Sequence, residues 1–460
     1  AKDYGPDYLV THKNIIANHL QHVVYAINQP AAARGYQSVF WNISIYDRPY
    51  FDNMFGDFVF PDMGRPQWES VKRLQAFFMD WFNEERTKAI LTFPVVTAAM
   101  LIKDGTPVDT EFTDLCAHEL GKGNSFFIYQ SENADSLASC CRLRNEISDH
   151  TFSYSLGAGG VATGSINVIT LNMNRLVQQG ADIVEEVQKV HKYQVAFRKL
   201  IDDYERAGML PVYHAGLISL DKQFLTVGIN GMVEAAESQG IQAGNNEKYK
   251  DFVNCYLKAI YQENRKARET YGYMFNTEFV PAENLGVKNA KWDREDGLFV
   301  PRDCYNSYFY IVEDEQTNAL DKIVLHGKET IQYLDGGSAL HLNLEETPNQ
   351  EGFKKLIHAT ARAGCNYFCF NIRITICNDC YHIDKRTLWE CSACQSQYVD
   401  HATRVIGYLK RVSNFSSGRQ KEHGLRHYHL KQAKSTMMDK RAEILLAGQK
   451  ASNTQETVKI

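Results

Sequence analysis

Apolar positions along this chain recur with two periods. In "PQWESVKRLQAFFMDWFNEER" (66–86), Trp68, Val71, Leu74, Phe77, Phe78, Trp81 and Phe82 fall on one helical face, which predicts an amphipathic helix. The run "AILTFPVVTAAMLI" (89–102) reads as a buried strand. Residues 181–208 form a long amphipathic pattern ending at Gly208, a good helix stop. "GLISL" and "QFLTVGIN" read as strands, "GMVEAAESQG" as a helix and 248–271 as a second long helix. "YMFNTEFVPAEN" begins as a strand and leaves as a loop. "SALHLNLEE" is a strand, "NQEGFKKLIHATARAG" a helix and "NYFCFNIRITIC" a single strand. Strands alternating with helices, without repeats or a Pro/Ser-rich linker, predict an α/β body with a largely parallel sheet or barrel.

The character changes after residue 376. Residues 1–376 are expected to form one α/β body and 377–460 a small appended module. The last ten residues, "ASNTQETVKI", read as a frayed tail. Composition fits a globular protein, 44% hydrophobic and 23% charged over 460 residues. A formal net charge of −5 is unlike that of a general nucleic-acid binder. The longest apolar run is too short to span a bilayer and contains Pro94, and the N-terminus lacks the apolar core of a secretory signal. The expected location is cytoplasmic, with no membrane partner.

Four of the eleven cysteines give C-x2-C-x10-C-x2-C: Cys377, Cys380, Cys391 and Cys394. Each CxxC turns both sulfurs toward one ion, and two such knuckles complete a tetrahedron with no open position. That is the arrangement of a structural zinc in a reducing compartment. Iron satisfies the same spacing, and His382 offers a substitute ligand. A closed site of this kind holds a fold together and names no reaction.

Thirteen residues beyond Cys394, "ATRVIGYLKR" (402–411) places Gly407 inside an apolar strand-like run, where glycine contributes no packing and costs backbone entropy. A bulge is the ordinary reading of such a glycine. Yet "RVIGYL" following a CxxC…CxxC module, and followed by "SGRQKEHGLRHYH", resembles the glycyl radical motif of class III anaerobic ribonucleoside-triphosphate reductases. A residue without Cβ can lose a Cα hydrogen and become planar without steric strain, with its spin delocalised over the flanking amides. "ADSLASCCRLRNEI" is similar to the segment that carries the family's thiyl-radical cysteine, which precedes an arginine; this selects Cys141, before Arg142, over Cys140. Two buried apolar thiols would be the ordinary reading of that pair.

Further segments resemble the family in the expected order: "NQPAAARGYQSVFWNISIYD", "GINGMVEAAE" and "NTEFVPAENLGVKNAKWDREDG". The resemblance implies a ten-stranded α/β barrel with Cys141 and Gly407 on two loops meeting inside. It also implies that Pro281, Ala282 and Glu283, in "VPAE", hold substrate phosphates at a helix start. A separate S-adenosylmethionine/iron–sulfur activase would generate the radical on Gly407. The thiyl at Cys141 would then open reduction of ribonucleoside triphosphates for DNA precursor synthesis, in a homodimer. One branch of the family carries an asparagine in the stretch equivalent to "GSINVITLN", where it helps to bind reductant and substrate. Ser165 stands there, with Asn167 two positions on, so formate and a thioredoxin-like dithiol both stay open as electron donor. Family chains have a longer N-terminal part with nucleotide-effector sites; the resemblance begins after it, which places those sites outside this sequence.

Two alternatives are retained. A glycyl radical enzyme of the pyruvate formate-lyase type shares the RVxGY string and adjacent cysteines, but the four-cysteine module and "NQPAAARGYQSVFWNIS" favour the reductase. A non-catalytic zinc-containing nucleotide-binding relative is the other, and against it both radical residues stand in their motifs.

Overall fold

The computed structural model describes residues 5, 7–32, 38, 39, 41–134, 136–138, 144–146, 164–216, 218–279, 284–404 and 408–429. The buried strand expected from 89–102 forms at Val95–Lys103 and lies inside the main sheet. The order across that sheet is Asn42–Tyr46, Val95–Lys103, Phe127–Ser131, Tyr367–Ile372, Leu340–Leu344. Pairing is parallel on both sides, with Ile43 opposite Val96, Ala98 opposite Ile128 and Leu342 opposite Phe370. It is antiparallel in the middle, where Phe368 faces Ile128. Alternate side chains point to opposite faces, so strands apolar on both must be covered twice. Val96, Ala98, Met100, Ile128, Leu342 and Phe370 pack with Phe78, Phe82, Leu120, Phe353 and Ile357 from the helices. The other face, Val95, Ala99, Phe127, Tyr129, Tyr367 and Cys369, gathers Tyr50, Met54, Phe93 and Tyr408.

A second sheet of three parallel strands, Gly164–Asn172, Gln223–Asn230 and Met274–Phe279, is crossed by the two long helices, Ile183–Arg206 and Glu247–Tyr271. Asp182 starts the first of these by accepting the Val184 amide at 2.8 Å. The two sheets are joined through residues 335–344. The Gly336 amide donates to Thr277 O at 2.8 Å, Phe279 N to Gly337 O at 3.1 Å, and the chain then enters Leu340–Leu344. A Cβ on Gly336 would lie 2.7 Å from Thr277 O, so only glycine permits this approach. Strands Ile383–Asp384, Ile374–Cys377, Val399–Arg404 and Leu409–Arg411 form a separate antiparallel sheet around the cysteines.

The pattern misplaces three details. Leu74 is 43% exposed while Gln75 is buried, because Gln75 accepts the Tyr46 amide at 2.8 Å and donates to Tyr46 O at 3.0 Å, closing the edge of the first strand. "GLISL" contributes a 3-10 turn at Leu220–Lys222 and no strand among its described residues. "NYFCFNIRITIC" is two strands, divided at Arg373. That side chain is drawn out of the run by Glu345, whose carboxylate oxygens lie 2.7 and 2.8 Å away, and its guanidinium stacks 4.2 Å from the Tyr428 ring. No helix among the described residues is long and apolar enough to cross a membrane.

Candidate functional site

The sulfurs of Cys377, Cys380, Cys391 and Cys394 lie within 4.8 Å of one another, with Cys377 and Cys394 at 3.6 Å and Cys380 and Cys391 at 3.5 Å. A tetrahedral zinc with Zn–S bonds of about 2.3 Å needs sulfur separations of about 3.8 Å, so this donor set fits one ion. The two knuckles are built alike. In each the first cysteine's amide donates five residues ahead, Cys377 to His382 O at 2.9 Å and Cys391 to Ser396 O at 2.8 Å. In each the residue after the second cysteine is left-handed, Tyr381 at φ 63° and Gln395 at φ 60°. That turn folds amide hydrogens back toward sulfur: Cys380 N to Cys377 Sγ and Ala393 N to Cys391 Sγ, both 3.4 Å. The Cys380 amide draws the Cys377 thiol down to about 6, whereas the sulfurs crowded beside them hold the Cys380 and Cys394 thiols above their ordinary value. His382 takes part through its carbonyl, and its ring is not in the sulfur cluster.

Gly407, Cys140, Cys141, Pro281, Ala282 and Glu283 lie outside the described residues. Arg404, three residues before Gly407, and Tyr408, the residue after it, are described, and both are held at the face of the main sheet that carries Phe127. Arg404 donates to Ser125 O at 2.6 Å and to Ser125 Oγ at 3.2 Å, with its guanidinium 5.3 Å over the Phe127 ring. Asn371 Oδ1 accepts from Thr403 Oγ1 at 3.0 Å and Arg404 N at 3.3 Å. Arg426 Nη1 donates to Arg404 O at 3.1 Å while its other donors fork onto Glu422 at 2.7 and 2.9 Å. Burial alone would raise the Glu422 carboxyl, but Arg426 and Arg419 outweigh it and hold it below its ordinary value. On the far side the Tyr408 ring meets Phe93 at 6.0 Å. Sequence reading missed Asn371, Glu422 and Arg426. The i, i+4 spacing of Glu422 and Arg426 was the available signal, though an exposed helix carries such pairs as readily.

Ser165 lies in a row of polar side chains across the second sheet. Its hydroxyl is 2.6 Å from Thr226 Oγ1, and Thr226 Oγ1 donates to Asn276 Oδ1 at 2.6 Å. Asn167 is displaced from this row by an irregularity in register between Ser165 and Asn167. Thr226 and Asn276, which sequence reading did not single out, are both fully buried. The stretch 280–283 joins the carboxyl end of Met274–Phe279 to the helix Leu285–Glu295, in a sheet whose parallel strands all run toward that end.

The profile of the family described as anaerobic ribonucleoside-triphosphate reductase matches residues 3–429. No curated protein matches the chain. Among solved structures it is similar to an anaerobic ribonucleotide reductase, with TM-score 0.81 and 28% identity over 94% of this chain and 70% of the other. It is also similar to the anaerobic ribonucleotide reductase from Thermotoga maritima in complex with dATP and CTP, at TM-score 0.78 and 30% identity over 91% and 70%. A glycyl radical enzyme from Archaeoglobus fulgidus shares the fold alone, at TM-score 0.51 and 11% identity over 84% and 57%. With the profile covering nearly the whole described chain, this protein belongs to the anaerobic ribonucleoside-triphosphate reductase family of oxidoreductases.

Proposed function

We propose that this chain reduces ribonucleoside triphosphates through a radical stored on Gly407 and used at Cys141. The observation that carries the reading is the anchoring of Arg404 and Tyr408, on either side of Gly407, to the face of the main sheet beside Phe127 and Phe93. A ribose C–H bond is neither acidic nor electrophilic, so acid–base groups alone cannot open this reaction. The activase takes one hydrogen atom from the Gly407 Cα. The Cys141 S–H bond then breaks as its hydrogen restores glycine, leaving a thiyl that removes the 3′ hydrogen of the ribose. The 2′ hydroxyl leaves as water after protonation. Two electrons come from formate, released as carbon dioxide, or from a dithiol, released as a disulfide. Cys141 returns the hydrogen to C3′, and the radical passes back to Gly407. The protein's part is orientation and exclusion of water.

The family's ten-stranded barrel is the architecture we assign to the two sheets; their connection through residues 335–344 supports it. In that barrel Pro281, Ala282 and Glu283 would seat the substrate phosphates, supported by their place at a helix start beyond parallel strands. Ser165, joined to Thr226 and Asn276, would face the reductant or the ribose. The four cysteines would hold zinc as a closed structural ion, which fixes the strands leading to Gly407 and supplies no redox chemistry. Nucleotide effectors are proposed as regulators, since dATP occupies a specificity site in the Thermotoga maritima structure. A homodimer and cytoplasmic location complete the reading.

The test is anaerobic electron paramagnetic resonance of metal-loaded protein with an activase, S-adenosylmethionine and a reductant, followed by nucleotide turnover. A doublet that disappears in Gly407→Ala, with deoxynucleotide formation lost in Cys141→Ser while the doublet persists, is the expected result. A doublet unaffected by Gly407→Ala, or full turnover in Cys141→Ser, overturns the residue assignment.

A further inference from the structure

A small cavity of about 20 Å³ lies where the body meets the cysteine module, lined among others by Asn83, Arg86, Asn124, Ser125, Lys385 and Leu409. Two cations line it, and neither has a carboxylate within ion-pair distance among the described residues. Arg86 uses only Nη1, donating to Asn124 Oδ1 and Ser125 O, both at 3.1 Å. Its Nε and Nη2 have no hydrogen-bond partner among the described residues. Lys385 reaches neutral oxygens only, Asn83 Oδ1 at 2.5 Å and Lys122 O at 3.2 Å. Arg404 adds a third positive charge, since it shares the Ser125 carbonyl with Arg86. The Asn124 amide nitrogen is buried without a partner.

Among the described residues, the charges nearby do not balance this cluster. Glu119 and Asp80 lie against Lys122, which takes up one of the two. The negative end of the helix Trp68–Glu85, which Arg86 caps, offsets about half a charge more. Burial and Arg404 disfavour the charge on Arg86, and burial and Arg86 push Lys385 down to about 8. Like charges gathered around an unpaired buried donor are costly unless something negative lies between them. The cavity has room for one small ion.

We propose that this junction binds a single small monovalent anion of chloride size, held by Arg86, Lys385 and the Asn124 amide. The anion fastens the cysteine module to the body. Lys385 and Leu409 come from the module, Arg86 from the end of the helix Trp68–Glu85, and Asn124 from the segment entering Phe127–Ser131. Leu409 is two residues beyond Gly407, so the ligand would brace the strand that leaves it. This assignment is independent of which residues carry the radical.

Bromide, a chloride mimic visible by anomalous diffraction, is the probe. Metal-loaded full-length protein crystallised with sodium bromide is expected to show one peak within hydrogen-bonding reach of Arg86 and Lys385, absent in Arg86→Gln and in Lys385→Gln. In solution at constant ionic strength set with sodium glutamate, the thermal midpoint should rise about 2 °C for each tenfold increase in saturating bromide. That dependence should vanish in either variant and persist in Arg386→Gln, whose exposed side chain pairs with Asp384. Should Arg86→Gln fail to fold, Lys385→Gln decides alone. A water in the cavity with no anomalous peak, or a midpoint indifferent to bromide, overturns the proposal.

Discussion

Glu422→Gln is the most informative single change to the framework around Gly407. Glu422, Arg426 and Arg419 are 7%, 2% and 3% exposed, and the carboxylate lies 2.7 Å from Arg426 Nε and 3.6 Å from Arg419 Nη1. The amide keeps the shape and one acceptor but removes the negative charge that faces both buried guanidiniums. Breaking a buried pair costs about 3–5 kcal/mol, and the retained hydrogen bond returns about 1 kcal/mol, so a net loss of about 2–4 kcal/mol is expected. An exposed pair such as Arg48 with Asp52 should cost under about 1 kcal/mol when treated alike. Because Arg426 also donates to Arg404 O, its loosening should lower radical yield at Gly407 under fixed activase. Urea unfolding of metal-loaded protein measures the first effect and spin counting the second. A loss below 1 kcal/mol refutes the buried-charge argument, and a full spin count in a destabilised variant refutes the coupling to Gly407.

Three other outcomes follow from the same geometry. Cys391→Ser should retain less than a tenth of the wild-type metal after dialysis against a chelator, measured by atomic emission, because a tetrahedron missing one thiolate loses closure. Tyr381→Gly should raise resistance to chelator and urea by about 1 kcal/mol, since a bulky residue at φ 63° is strained where glycine is not. Lys322 is 2% exposed, and burial pushes it down to about 8 even though Asp314 opposes the shift. Between pH 8 and the ordinary lysine value the unfolded chain binds the extra proton, so stability should rise with pH in that window. Lys322→Met should abolish the slope and add up to about 3 kcal/mol at pH 7; an unchanged urea–pH profile would refute it.

The boundary between what the chain spells out and what the fold decides runs through particular residues. Both long helices were legible because an apolar stripe of period 3.6 persists over six or seven turns, as were Val95–Lys103 and Gln223–Asn230, whose largely apolar and β-branched runs suit strands covered on both faces. The four cysteines were legible because a knuckle needs only local spacing to aim two sulfurs at one point. Gly407 and Cys141 stood out through family-like strings, which carry chemistry without showing position. Gln75, Arg373, Asn371 and Glu422 were not legible. A polar residue is buried only when a partner satisfies it: the fold brings Tyr46, Glu345 and Arg404 to the first three across 28 to 33 residues, whereas Glu422 meets Arg426 four residues on and the fold decides only that the pair is buried. For the same reason, neither half of the sequence shows that Arg86 and Lys385 line one cavity. The sequence by itself determined local periodicity, the paired-cysteine spacing and the family; the tertiary structure decided which polar groups are buried, because desolvation depends on neighbours that local order does not encode.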